Sequence, residues 1–219
     1  MAAMYAVWHG PDGLRRIALK CHALAAVVRF GVTSIGHETF SSSHFDTVTV
    51  SLQGVASEVV HREAARRNIN LRRVDADRVG ISIDESITLE NIVDLLNIFV
   101  VVSPGRKRHE EFTASSVIEL AQSLGFDARA VNGQGEASMP GIPEAMRRTT
   151  PFLEQAVFNS HQTETDMLRY LTYLQAKDLS LAHAIIPLGS CTMKVRGRRR
   201  CRAYDAAQSD DDDASAYLA

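Results

Sequence analysis

The stretch Thr47-Val-Thr-Val-Ser-Leu52 (TVTVSL) decides how the first half of this chain is interpreted. Val48, Val50 and Leu52 alternate with hydroxyl-bearing residues, and a period of two with β-branched side chains is typical of a strand with one buried face. Such a strand needs a second layer to cover its apolar side. The segments on either side of it therefore determine the fold class.

Amphipathic helices are predicted on both sides of this strand. The run from Pro11 to Phe30 places apolar residues at i, i+3, i+4 and i+7, with Pro11 in the first turn and Gly31 as the terminator. A shorter helix is predicted from about Ala56 to Arg67, and a third follows Thr88, which is a suitable N-cap.

Two further strands are predicted, at Ile69–Leu71 and at Val79–Ile83, with a turn from Asp75 to Arg78 between them. Residues 10–100 are then ordered helix, strand, helix, strand, strand, helix. This order predicts an α+β layer in which helices cover one face of a small sheet.

The chain changes character after Pro104 and Gly105. Ser116 with Glu119 predicts a capping box for a short helix that ends near Gly125. Residues 132–143 are rich in glycine and proline and are interpreted as a linker.

The last part of the chain has two sections. An amphipathic helix is predicted to begin near Thr163, with apolar residues at Met167, Leu168, Leu171 and Leu174. Residues 195–219 combine a basic run with an acidic run and have almost no apolar periodicity, which predicts disorder.

The bulk composition excludes several classes of protein. The 24 basic and 26 acidic residues give a net charge of −2, so no field is expected to recruit nucleic acid or a membrane surface. Three distant cysteines predict no disulfide framework. No uninterrupted apolar run reaches the roughly 20 residues of a spanning helix, and the first residues resemble neither a signal peptide nor a transit peptide.

Three stretches of this sequence are similar to the P-protein family of glycine decarboxylases. The most specific is FNSHQTETDMLRYLTYLQAKDLSLAHAIIPLGSCTMK (Phe158–Lys194), which is similar to the family signature over more than thirty residues. MAAMYAVWHGPDGLRRIA at the start of the chain and INLRRVDADRVGISIDESIT (Ile69–Thr88) resemble two further family segments. Together the resemblance covers about residues 1–194.

The resemblance implies a fold and a division into domains. Family members are two tandem copies of a pyridoxal-phosphate fold of the aspartate aminotransferase type, so the α/β class is expected. Residues 1–103 would be the small terminal domain of the first copy, and 104–150 a linker with a short helix. Residues 151–194 would begin the second copy, and 195–219 would be a tail foreign to the family.

The resemblance also implies the chemistry of the complete enzyme. Glycine is decarboxylated on pyridoxal phosphate, and the aminomethyl group passes to the lipoyl arm of the H-protein, in an enzyme with a second P-protein subunit. The family's Schiff-base lysine follows a histidine, whereas no histidine precedes any lysine of this chain: Lys20, Lys107, Lys177 and Lys194. We therefore expect no bound cofactor, no catalytic residue and no activity from this chain alone.

Two departures from the family pattern suggest an incomplete gene model. Met1 falls where the family has an internal methionine, and after Lys194 the family pattern gives way to VRGRRRCRAYD. Since valine codons begin with GT, we expect translation into an intron after Lys194. An intron would indicate a eukaryotic source, for which we expect a mitochondrial protein. For any other source we expect a cytoplasmic one.

The tentative site is the loop Ser190, Cys191 and Thr192, whose small polar side chains follow a glycine and could bind a carboxylate or phosphate near the active site. The alternative is an ordinary packing loop. No base can be assigned to Cys191 as a nucleophile. The spacing of His183 and Cys191 matches no zinc pattern, so no metal is expected.

Other candidate pairs have plainer interpretations. His161 with Glu164 could be a base and its orienting group, or a hydrogen bond at a helix start. Asp84 and Glu85 could be an acid–base pair, or a solvated strand end. The Gly133-Gln134-Gly135 turn is a poor phosphate loop. The competing function, from a different class, is a non-catalytic α+β interaction or scaffold module derived from the enzyme.

Overall fold

The computed structural model describes residues 2–103, 111–127 and 141–178. The chain divides into two compact units, residues 1–160 and 161–219. The elements of the first unit are helix α1 (Ala2–Ile35), strands β1 (Glu38–Thr39) and β2 (Thr47–Ser51), helix α2 (Ser57–Arg66), strands β3 (Arg72–Arg73) and β4 (Arg78–Ser82), and helices α3 (Leu89–Val102) and α4 (Ala114–Ser123). The described part of the second unit holds helix α5 (Glu164–Gln175).

The four strands form one antiparallel sheet in the order β1-β2-β4-β3. Val48 pairs with Ile81 and Val50 with Val79, and all four side chains are buried. Thr47 and Ser82 pair on the opposite, more exposed face, where their hydroxyls lie 3.1 Å apart. This alternation confirms the strand predicted from TVTVSL, and the α+β class is confirmed at that level. The strand predicted at Ile69–Leu71 is wrong, because β3 lies at Arg72–Arg73, where it pairs with Gly80 and Val79 of β4.

Helix α1 is longer than predicted and has a break at Gly10. Gly10 has φ 61° and ψ −176°, a conformation that glycine adopts without steric cost. Pro11 begins the second part of α1, where its missing N–H leaves no hydrogen bond unmade. The predicted start at Pro11 is therefore right for this part, and residues 2–9 add a helical segment that the apolar spacing did not indicate.

The prediction that Gly31 ends the helix is wrong, because α1 continues to Ile35. Gly31 is buried, and a Cβ atom added there would lie 2.6 Å from Cδ2 of Leu96 on α3. Its function is close packing between α1 and α3 rather than termination. A glycine near the end of an apolar pattern supports either interpretation when only the sequence is known.

Helix α1 is also long and apolar enough to cross a membrane by length and composition alone, with a mean hydropathy of 1.3 in its most apolar window. Of that window, 61% is buried inside the protein, and the core helix of a soluble protein passes the same test. The expectation that no segment of this chain is long and apolar enough to span a membrane is therefore wrong by the criterion of length and composition. It considered uninterrupted runs, whereas Lys20 and Arg29 interrupt the apolar second half of this helix.

The caps of α3 and α4 agree only in part with the predictions. Thr88 caps α3 as predicted, accepting a hydrogen bond from the Asn91 backbone N–H. The predicted Ser116–Glu119 box is wrong, because Thr113 caps α4 and Ser116 is its partner three residues on. Helix α4 begins earlier than predicted because a side chain of α3 holds the residue before its cap. Asn97 donates a hydrogen bond to the Phe112 carbonyl and accepts one from the Phe112 N–H. The end of α4 at Ser123 agrees with the prediction.

Helix α4 lies within the predicted 104–150 segment, yet it contributes to the main core. Val117 and Ala121 are fully buried and join the same apolar cluster as α1, β2, β4 and α3. Phe126, just after the helix, is also buried in this cluster.

The second unit is described by α5 alone. Thr163 caps it, as predicted, by accepting a hydrogen bond from the Asp166 backbone N–H at 3.2 Å. No residue of this helix is buried, and Leu168 and Leu171 are 65% and 42% exposed. The apolar stripe predicted from the sequence is therefore present, and two of its leucines face solvent.

Candidate functional site

The tentative site loop of Ser190, Cys191 and Thr192 lies outside the described residues, as do His183 and the Gly133–Gly135 turn. Their assignments stay predictions. Within the described ranges, no group of three or more His, Cys, Asp and Glu side chains could hold a metal ion.

The two carboxylates Asp84 and Glu85 lie just past the end of β4 and make different hydrogen bonds. Asp84 accepts hydrogen bonds from the backbone N–H and the hydroxyl of Ser86, at 2.8 and 2.6 Å. These bonds hold the pKa of Asp84 below its usual value and fix a turn. Glu85 is exposed and accepts a hydrogen bond from the Tyr5 hydroxyl at 3.1 Å. The pair is a solvated strand end, as the plainer interpretation predicted.

Polar groups from α1 converge on this strand end. Lys20 Nζ donates to the backbone carbonyl of Glu85 at 2.8 Å. The neighbouring Cys21 is buried, and burial followed by the charge of Glu85 raises the pKa of its thiol. The same two causes, together with the hydrogen bond to Glu85, raise the pKa of the Tyr5 phenol. A thiol held protonated is a poor nucleophile, so this cluster ties α1 to β4 rather than activating Cys21.

Each of the two described lysines has a defined partner in the structure. Lys20 is committed to the Glu85 carbonyl, and Lys177 lies over the Tyr173 ring, 4.6 Å from its centre. An anchoring lysine needs a partly desolvated amine beside groups that hold the cofactor's phosphate and ring nitrogen. Lys107 and Lys194 lie outside the described residues, so the absence of a Schiff-base lysine remains a prediction.

The most buried polar groups of the first unit are histidines that the sequence analysis passed over. His37 accepts a hydrogen bond from the Gln53 backbone N–H at Nδ1, which leaves the proton on Nε2 to donate to the Ser103 hydroxyl at 2.8 Å. His37 thereby joins the end of α1 to the end of α3. His22 on α1, which is buried, also contacts His44 in the loop before β2, which is half-buried, with ring centres 5.3 Å apart.

A sequence signal for His22 exists in α1. Residues 21–28 are all buried, so this part of the helix is covered on every side and not on one stripe. The run Ala23–Val28 contains no polar residue, and a helix that is apolar all round predicts burial of the polar residue beside it.

In the second unit, the His161–Glu164 pair has a plainer role than catalysis. The His161 ring stacks on the Tyr170 ring at 4.2 Å with 10° between the planes. Thr163 makes the hydrogen bond that starts α5. His161 thus packs on the first turns of the helix.

The first comparison with known proteins is with models of protein families. Residues 1–99, which include the whole sheet layer, match the family model described as Glycine cleavage system P-protein. This match confirms the resemblance drawn from the sequence motifs.

A particular relative extends the match. The chain is 44% identical over 195 residues to glycine dehydrogenase (decarboxylating) of Bordetella avium, and the alignment covers 89% of this chain. It spans only 18% of the length of that relative.

Proposed function

We propose that this chain is a segment of a glycine cleavage system P-protein. The complete protein decarboxylates glycine with pyridoxal phosphate and transfers the aminomethyl group to the lipoyl group of the H-protein. The observation that carries the proposal is 44% identity sustained over 89% of the chain, which a shared fold alone does not produce.

The segment supplies structural layers rather than the catalytic centre. Residues 1–103 form the small domain of the first copy of an aspartate aminotransferase-like fold. The antiparallel sheet covered by α1, α2 and α3 is compatible with that assignment. Residues 104–150 connect this domain to 151–194, the beginning of the second copy, and residues 195–219 lie outside the family pattern.

The cofactor belongs to the complete enzyme. Pyridoxal phosphate supplies the electron sink for decarboxylation, and the environments of Lys20 and Lys177 do not suit its attachment. The complete enzyme pairs with a second P-protein subunit. It acts in the mitochondrion if the source is eukaryotic and in the cytoplasm otherwise.

Reduction with borohydride after incubation with pyridoxal phosphate tests this assignment. The chain alone is expected to give only trace labelling, spread over its four lysines, and no exchange of the glycine carboxyl with carbon dioxide. K20R and K177R serve as controls for surface labelling. A stoichiometric pyridoxyl group at one lysine of this chain, located by peptide mapping, would contradict the proposal.

The alternative is a non-catalytic interaction module, favoured by the continuous apolar core that α1, the sheet, α3 and α4 form together. The two functions separate in one mixing experiment with the parent enzyme. A chain that binds the parent and alters its assembly, in the absence of pyridoxal phosphate, supports the interaction module.

A further inference from the structure

Where three parts of the first unit meet, the imidazole ring of His22, which is buried, contacts that of His44, which is half-buried. His22 is 1% exposed, and its ring centre lies 5.3 Å from that of His44. The Phe45 ring is stacked parallel to His22 at 5.8 Å, and the Phe126 ring after α4 packs edge-on at 6.1 Å. The pair therefore joins α1, the β1–β2 loop (Phe40–Asp46) and the end of α4.

Most of the pair's hydrogen-bonding capacity is unused. His22 Nδ1 lies 2.9 Å from the Phe45 carbonyl oxygen. Since a carbonyl can only accept, Nδ1 carries the proton and Nε2 carries the lone pair. Among the residues that the structure describes, His22 Nε2 and the two ring nitrogens of His44 have no partner that meets hydrogen-bond geometry, although the Ser42 carbonyl lies near the His44 ring. A further proton on His44 would therefore be a partly buried charge with little compensation.

The surrounding charges oppose protonation of His44. Burial lowers the pKa of His44, and His22 and Arg29 on α1 lower it further, while the Ser42 carbonyl acts in the opposite direction. Asp46 and Asp127 directly follow the two aromatic residues that pack on His22. The net effect on His44 favours its neutral form.

We propose that His44 is an acid-sensitive latch that holds the β1–β2 loop on α1 through its contact with His22 and releases the loop when His44 is protonated. The inference is independent of the enzymatic assignment. Because the pKa of His44 is lower folded than unfolded, the latch contributes fully above the unfolded value of about 6.5. Its contribution is lost as the pH falls below that value.

Nuclear magnetic resonance on the full chain tests the latch directly. At about pH 8, the ¹⁵N shifts of His22 should show the tautomer with the proton on Nδ1. Between about pH 8 and about pH 5, amide protection of His44, whose backbone N–H donates to the Gly141 carbonyl at 3.3 Å, should fall at least roughly tenfold relative to Val79 and Ile81 in β4. Protection is measured against the intrinsic exchange rate at each pH.

Matched variants separate a local latch from general acid sensitivity. H44F keeps a buried ring without a titrating nitrogen and should abolish the pH-dependent loss. H44Q also removes the titrating imidazole and should abolish the loss, and it does not replace His44 with another aromatic ring. H61Q removes another buried histidine with a lowered pKa, on α2, and should leave the loss unchanged. The proposal is overturned if loop protection does not change with pH, if H44F and H44Q keep the wild-type response, or if β4 loses protection in parallel.

Discussion

Helices α1 and α5 are both amphipathic in sequence, but only one of them lies in a core. Fifteen residues of α1 are buried, whereas α5 has none. Both helices have sound local reasons to form, since α1 resumes at Pro11 and Thr163 caps α5. The difference shows that spacing and caps define a helix, and that burial depends on the layers that the rest of the chain provides.

The largest expected effect is on the free energy of unfolding, when a leucine is replaced by alanine in each region. Leu96→Ala removes a fully buried side chain of α3 and should lower the free energy of unfolding by about 2–5 kcal/mol. Leu168→Ala on α5 removes a side chain that is 65% exposed and should change it by less than about 0.5 kcal/mol. Urea unfolding measures both. Equal losses would mean that α5 has a core of its own.

A second substitution tests the contact between α1 and α3. Gly31→Ala places a Cβ atom 2.6 Å from Cδ2 of Leu96, which is too close for two carbon atoms. It should cost about 1–3 kcal/mol through overpacking, and the exposed Thr33→Ala should cost less than about 0.5 kcal/mol. Because the clash needs both partners, the G31A/L96A double variant should lose less than the sum of the single variants. Strict additivity would contradict the close packing.

Removing the caps compares the two regions at a smaller scale. Thr88→Ala deletes the cap of α3 and should lower global stability by about 1 kcal/mol, since that helix lies in the core. Thr163→Ala deletes an equivalent cap, but should reduce only the helicity of residues 164–175. Thermal unfolding reports the first effect and amide chemical shifts near Asp166 report the second. A global loss from Thr163→Ala would contradict the separation of the two regions.

The smallest effect concerns the turn between β3 and β4. The hydrogen bond from Arg78 Nε at 2.7 Å lowers the pKa of Asp75 to about 2. Any stability that this carboxylate contributes is present above its ordinary value of 3.8 and is lost as the pH falls toward 2. R78Q should return the Asp75 pKa toward the ordinary value. A carboxylate NMR titration checks this, and an unchanged low pKa would show that Arg78 is not the cause.

Much of the sheet layer could be predicted because its signals are local. The alternation in TVTVSL, the turn from Asp75 to Arg78 and the Thr88 cap each depend on residues close in sequence. Strand β1 was missed because it has only two residues, and its pairing with β2 is not local. Gly31 was misassigned for the same reason, because its meaning depends on Leu96, 65 positions away.

The candidate site could be predicted less well. The buried histidines were missed because His22, His37 and His44 gain their partners from segments distant in the chain. The plainer interpretation of Asp84 and Glu85 needed only the end of a strand, and it agrees with the structure. The functional prediction came from the similarity of Phe158–Lys194 to a family signature. It did not depend on any geometry of a site.

Hydrogen–deuterium exchange of the full chain, read by mass spectrometry, tests most directly the claim that α1 and α3 lie in a core whereas α5, the described helix of the second unit, does not. Peptides from the buried part of α1 (residues 17–35) and from α3 should be protected to the extent set by global unfolding. Peptides covering residues 164–175 should exchange at nearly the unfolded rate, because a single uncovered helix of this length is marginal in water. Protection of α5 equal to that of α3 would contradict the account.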